Sequence, residues 1–138
     1  MNVLFVVPPE NTYIKASVDS ALDRDREHRP FLGILSVATT LRRLRPRVNV
    51  RVLDCRADEM DPAGLEAVVR EFAPDLVGIT CLTFFYPAAL AAAAAVKRGR
   101  LQAKVCLGGF HPTLYPRETL AQTNVDFVVF GEGEFTMV

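Results

Sequence analysis

Two short runs carry most of the chemistry this chain can offer: Val105-Cys106-Leu107-Gly108-Gly109-Phe110-His111-Pro112-Thr113 and Asp126-Phe127-Val128-Val129-Phe130-Gly131-Glu132-Gly133-Glu134. Each is apolar and strand-like, and each stops abruptly in glycine. Paired glycines at a strand end let a flat ligand approach the backbone, because no Cβ stands in the way. A third run, Asp75 to Thr80, leads into Cys81-Leu82-Thr83. The hydroxyls of Thr80 and Thr83 can bond a polar ligand edge while Leu82 lines an apolar wall. Threonine in such a place also caps turns and helices, but beside Gly108-Gly109 a shared pocket is the better reading. His111 follows the glycine pair and can act as a ligand, an acid–base group or a plain hydrogen-bond donor.

Other chemistries lack their parts. A dinucleotide pyrophosphate needs Gly-x-Gly-x-x-Gly after the first strand, where the chain has Pro8-Pro9-Glu10-Asn11-Thr12. A phospho-accepting domain would need an acidic pair there and a lysine after the fourth strand, where Gly108-Gly109 stands. Asp54 therefore reads as a solvated strand-end carboxylate or a hydrogen-bond acceptor. No His-x-x-His or Cys-x-x-Cys pair supports an all-protein metal or iron–sulfur site. No serine or cysteine nucleophile has a credible base. Cys55, Cys81 and Cys106 fall near three strand ends, where they either gather at one site or sit as small buried thiols.

The elements that must position these residues alternate strand and helix. Val3–Val7 is an unbroken apolar run, as expected of a strand buried on both faces. Residues 11–30 form a long charged stretch containing His28, and a loop of that length is usually functional or disordered. Helical spacing runs from Phe31 to Leu44, with Arg42 and Arg43 suited to a helix C-terminus. Val48–Asp54 is the second strand. Asp61-Pro62 opens the second helix, with an acceptor at the N-cap and proline in the first turn. The third strand spans 75–80, an alanine-dense helix runs from Pro87 to about Arg98, and Ala103–Leu107 is the fourth strand. Pro116–Gln122 is a short helix, and Asp126–Phe130 the fifth strand. The expectation is an α/β domain: a five-stranded parallel sheet, flavodoxin-like or Rossmann-type, with helices on both faces and 2-1-3-4-5 as the usual strand order. Ligands in such folds bind beyond the carboxyl ends of the strands.

With 138 residues, the chain is one domain of ordinary size, and its 16 basic and 16 acidic residues cancel. Net charge therefore invites neither nucleic acid nor an acidic membrane. No stretch approaches the roughly 20 apolar residues of a spanning helix. Three widely spaced cysteines suggest no disulfide framework, so a reducing cytoplasm is the expected setting.

Taken in order, several segments resemble the cobalamin-binding domain that precedes the catalytic barrel of radical S-adenosylmethionine enzymes, such as the anaerobic magnesium-protoporphyrin IX monomethyl ester cyclases. They are Pro8-Pro9, Pro30-Phe31-Leu32-Gly33-Ile34-Leu35, Pro74 to Thr80, Gly108 to Thr113, and Asp126 to Glu134. The resemblance covers almost the whole of residues 1–138. It implies a base-off corrinoid whose dimethylbenzimidazole tail enters between the loops after the third and fourth strands, with Thr80, Leu82, Gly108 and Gly109 at tail-lining positions. The expected cofactor-binding residues are Thr80, Leu82, Thr83, Gly108, Gly109, Phe110, His111, Gly131, Glu132 and Gly133; none is expected to be catalytic or to ligate metal. One departure stands out: the Asp-x-His-x-x-Gly that supplies cobalt's lower ligand in many such domains is absent at Pro8–Tyr13. The iron–sulfur motif Cys-x-x-x-Cys-x-x-Cys is also absent, so the 4Fe-4S cluster and S-adenosylmethionine are expected in a downstream barrel beyond residue 138. The parent activity implied is methyl transfer or oxidative cyclisation. The alternative is a flavodoxin-like sensor or interaction domain that has lost corrinoid binding.

Overall fold

A computed structural model describes residues 1–9 and 30–138. Most of the charged stretch 11–30, including His28, and the Glu10–Tyr13 segment where a cobalt-ligating histidine is missing lie outside the described residues.

Five parallel strands pair in the order β2-β1-β3-β4-β5, the order expected. They are β1 (Asn2–Val7), β2 (Asn49–Asp54), β3 (Leu76–Thr80), β4 (Lys104–Gly108) and β5 (Phe127–Val129). The centre of this sheet is apolar on both sides, because helices cover both faces. Along β1 the alternation of a strand divides the residues between the layers. Val3, Phe5 and Val7 pack with Ile34, Ala38 and Leu41 of α1 (Leu32–Leu44), whereas Leu4 and Val6 belong to the opposite layer.

That opposite layer is built by α2 (Pro62–Phe72) and α3 (Tyr86–Gly99). Helix α2 starts where Asp61 accepts a hydrogen bond from Gly64 N–H at 2.7 Å, with Pro62 in its first turn. It ends at Ala73, which adopts a left-handed conformation. Helix α3 buries Ala88, Ala89, Ala92, Ala93, Ala95 and Val96. Methyl-sized side chains let its backbone lie close to the sheet.

Two short segments depart from the sequence expectation. A 3₁₀ turn at Thr83–Phe85 feeds α3, so the helix begins at Tyr86 rather than Pro87. Residues Phe110–Leu114 form a separate helix, α4, ahead of α5 (Pro116–Leu120). Proline is tolerated in a first helical turn, where backbone N–H groups have no intrahelical partner, so Pro112 does not break α4. Strand β5 is shorter than Asp126–Phe130. Asp126 lies just before it, its carboxylate taking hydrogen bonds from Val105 N–H (2.8 Å), Lys97 Nζ (2.6 Å) and Lys104 Nζ (3.0 Å). Burial alone would raise this carboxyl, but those donors outweigh it and hold it down to about 2.

Candidate functional site

At the carboxyl ends of β3, β4 and β5, on the face that carries α1, the chain leaves a cavity of about 420 Å³. Its floor includes Phe5, Gly78 and Cys106, and its α1 wall is Gly33, Ile34 and Val37. The turn after β5 and the C-terminal Met137 close the far side. Helix α1 covers β1 and β2, so over β3–β5 the sheet meets the cavity directly.

Six of the eight glycines line this space: Gly33, Gly78, Gly108, Gly109, Gly131 and Gly133. They are there for different reasons. Gly109 has φ +105° and ψ −162°, and a Cβ would lie 2.9 Å from the Cys81 carbonyl oxygen. That region of backbone space is essentially open to glycine alone, so Gly109 is demanded by the turn itself. The same close approach allows Cys81 N–H to donate to Gly108 O (2.7 Å) and His111 N–H to donate to Cys81 O (3.1 Å). Gly78 yields room to the Phe5 ring, which a Cβ would meet at 2.8 Å. Gly108 differs, for among the described residues a Cβ there would meet only Val129, at 3.7 Å and beyond. The fold does not require a glycine at 108; the space it leaves open belongs to the cavity.

The closing turn is tied down by polar contacts. Ser36 Oγ of α1 donates to Glu134 Oε1 at 2.6 Å, which holds that carboxyl below its usual range. Arg45 Nε donates to the Val138 carbonyl at 3.0 Å. Thr113 Oγ1 donates to Gly109 O at 2.8 Å and accepts from Gly131 N–H at 3.0 Å.

Of the residues expected at the site, Thr80, Gly108, Gly109, Phe110, Gly131, Glu132 and Gly133 line the cavity. Leu82, Thr83 and His111 do not. After Cys81 the chain turns into the 3₁₀ segment, which carries Leu82 and Thr83 away from the α1 face. His111 is buried in that same direction, its ring stacked on Tyr86 at 3.8 Å between centroids, with Nδ1 3.4 Å from Thr83 Oγ1. Those contacts join the segments that follow β3 and β4. Asp54 is the acceptor expected, bonded by Arg56 N–H at 3.1 Å.

The three thiols do not converge. Cys55 and Cys81 lie in the α2–α3 layer, while Cys106 faces the cavity. All three are free and buried. Burial pushes Cys55 up to about 12, with Asp54 and Asp58 adding to the effect; it likewise pushes Cys81 to about 12 and Cys106 to about 11. Burial and a raised pKa slow the reactions of such thiols at neutral pH. Among the described residues, no cluster of three His, Cys, Asp or Glu side chains is placed to hold a metal ion. No helix among them is long and apolar enough to cross a membrane.

Comparison with known proteins gives this cavity its context. The B12 binding domain family matches residues 27–138. The chain belongs to that family. A protein of Pyrococcus horikoshii, named as an uncharacterized methyltransferase, is 31% identical over 137 residues, which is 99% of this chain. The chain spans 28% of that relative's length.

The residues present suit the ligand that a B12-binding domain takes. A cavity of about 420 Å³ falls within the usual size of a small-molecule site. The Thr80 hydroxyl stands in the lining, where it can bond a heterocycle edge or ribose. Among the described residues the lining holds no Lys, Arg or His, and it includes Glu132 and Glu134. Those described residues favour neutral amide and hydroxyl edges on a ligand.

Proposed function

We propose that this chain is the cobalamin-binding module of a radical S-adenosylmethionine enzyme. It takes a base-off corrinoid with the dimethylbenzimidazole tail in the glycine-lined cavity. The observation that carries this reading is Gly108. It is a glycine the fold does not need, at the carboxyl end of β4, in a chain of the B12 binding domain family. Thr80, Gly108, Gly109 and Gly131 would hold the tail, while Phe110, Glu132 and Gly133 border the entrance.

When bound, cobalamin supplies a cobalt centre able to carry a methyl group between a donor and an acceptor. The work of this chain is to bind the tail, exclude water from the apolar floor of Phe5 and Cys106, and orient the corrin above the strand ends. Methyl transfer in the parent is supported by the methyltransferase relative. The radical S-adenosylmethionine barrel, with its 4Fe-4S cluster, and the option of oxidative cyclisation rest on the ordered motif resemblance. By that reading the barrel follows in the same polypeptide and is this module's partner, in the cytoplasm.

The test is retention of hydroxocobalamin through desalting, with the base-off absorption spectrum. Gly108→Val fills the cavity from β4 and abolishes retention while circular dichroism and the unfolding midpoint stay near wild type. A chain that never retains hydroxocobalamin is instead the sensor or interaction domain without corrinoid. A Gly108→Val chain that binds normally removes the tail assignment.

A further inference from the structure

Among the described residues, only two glycines have positive φ, Gly109 at +105° and Gly131 at +72°. They open the turns after the neighbouring strands β4 and β5, where Gly108 pairs with Val129, and both turns line the cavity. Glycine makes such turns possible but leaves them loose, since it has the most conformational freedom to lose. One side chain joins the two. The Thr113 hydroxyl donates its single hydrogen to Gly109 O (2.8 Å) and accepts from Gly131 N–H (3.0 Å) across 18 residues of sequence. Helix α4 places it there, one turn after Gly109.

We infer that Thr113 is a positioning residue for tail recognition. Its hydroxyl fixes the separation of the two glycine turns and so presets the width of the cavity mouth before the ligand arrives. This rests on the cobalamin reading above. A ligand that enters a preformed site loses less affinity to the ordering of loops. The effect is confined to the part of the ligand that enters between those turns. A corrinoid without its nucleotide tail should not sense the change.

The experiment compares the chain with Thr113→Val, which keeps the shape and removes the hydroxyl, and Thr113→Ser, which keeps the hydroxyl. Each is titrated with hydroxocobalamin and with cobinamide, the tail-less corrinoid, and amide hydrogen exchange at Gly131 is followed in the ligand-free protein. The expected result for Thr113→Val is a five- to tenfold loss in hydroxocobalamin affinity, the scale of one or two net hydrogen bonds. Cobinamide affinity changes less than about twofold on the same argument, exchange at Gly131 speeds up, and Thr113→Ser restores both. Equal losses on the two corrinoids, or a serine variant that behaves like valine, overturn the positioning role. If the wild-type chain retains neither corrinoid, the cobalamin reading fails. The exchange measurement still judges the coupling on its own: unchanged exchange at Gly131 in Thr113→Val overturns it with or without ligand.

Discussion

The two faces of this sheet solve opposite problems with small residues. Under α3, alanines bring the helix down onto the sheet, and Leu4, Val77, Val105 and Leu107 are fully buried beneath the α2–α3 layer. On the other face, glycines at the ends of β3, β4 and β5 line a space between α1, α4 and the turn after β5. Removing side-chain volume thus closes one face and opens the other. The difference lies in what stands opposite: α3 packs its alanines onto the sheet, whereas the glycine floor faces a cavity bounded by α1, α4 and the fastened turn of residues 131–138.

The strongest way to break this comparison is on the sealed face. Leu65 of α2 is completely buried, and Leu65→Ala should lower the unfolding free energy by about 2–5 kcal/mol through lost burial and a residual void. Denaturant titration measures the loss. Hydroxocobalamin affinity of the folded fraction should be unchanged, and a parallel fall in affinity would mean that the faces are not independent.

On the open face, adjacent glycines should separate. Gly109→Ala forces a glycine-only conformation and a Cβ against the Cys81 carbonyl, costing about 1–3 kcal/mol. Gly108→Ala should shift stability by less than about 1 kcal/mol and act instead on corrinoid affinity. Equal destabilisation by the two would remove the distinction between a turn glycine and a cavity glycine.

A smaller effect concerns Asp126, which joins β4, β5 and α3. Its folded value of about 2 lies below the ordinary 3.8, so its stabilisation is complete above pH 4 or so and drains away as pH falls toward 2. Asp126→Asn should flatten the stability profile across that window and cost about 1 kcal/mol at neutral pH after solvent screening. An unchanged acid limb in the variant would show that the carboxylate contributes nothing there.

The subtlest contrast is chemical. All three thiols should alkylate slowly in the native protein, with Cys106 ahead of Cys55 and Cys81 because it alone faces the cavity. Hydroxocobalamin should slow Cys106 in particular; mass mapping after iodoacetamide treatment reads the order, and Cys55 or Cys81 reacting first would contradict it.

The sheet was readable because strands buried on both faces leave unbroken apolar runs, and Val3–Val7 and Val105–Leu107 are such runs. Asp61-Pro62 announced α2 through capping chemistry that acts within four residues. The site was half readable. Gly108-Gly109 and Gly131-Glu132-Gly133 belong to the cavity lining, whereas Leu82, Thr83 and His111 lie outside it. Their direction depends on the 3₁₀ turn and the Tyr86 stack, which follow from packing rather than from spacing. Gly78 gave a signal that went unused: a glycine inside an apolar strand marks a close approach, here by Phe5. Nothing in the sequence separates Thr113 from any other helix threonine, because both its partners are backbone groups of distant turns.

The glycine lining carries a consequence for how such a domain diverges. A cavity made by leaving side chains out can be altered by single substitution in one direction only, since every replacement of glycine adds atoms. At Gly78 and Gly109 the addition also disturbs the fold, so those changes meet resistance from stability. At Gly33, Gly108 and Gly131 no neighbour among the described residues would be displaced, although Gly131 still carries its positive φ. On the proposed tail assignment, position 108 is therefore an open gate through which a lineage can lose its ligand while keeping its architecture.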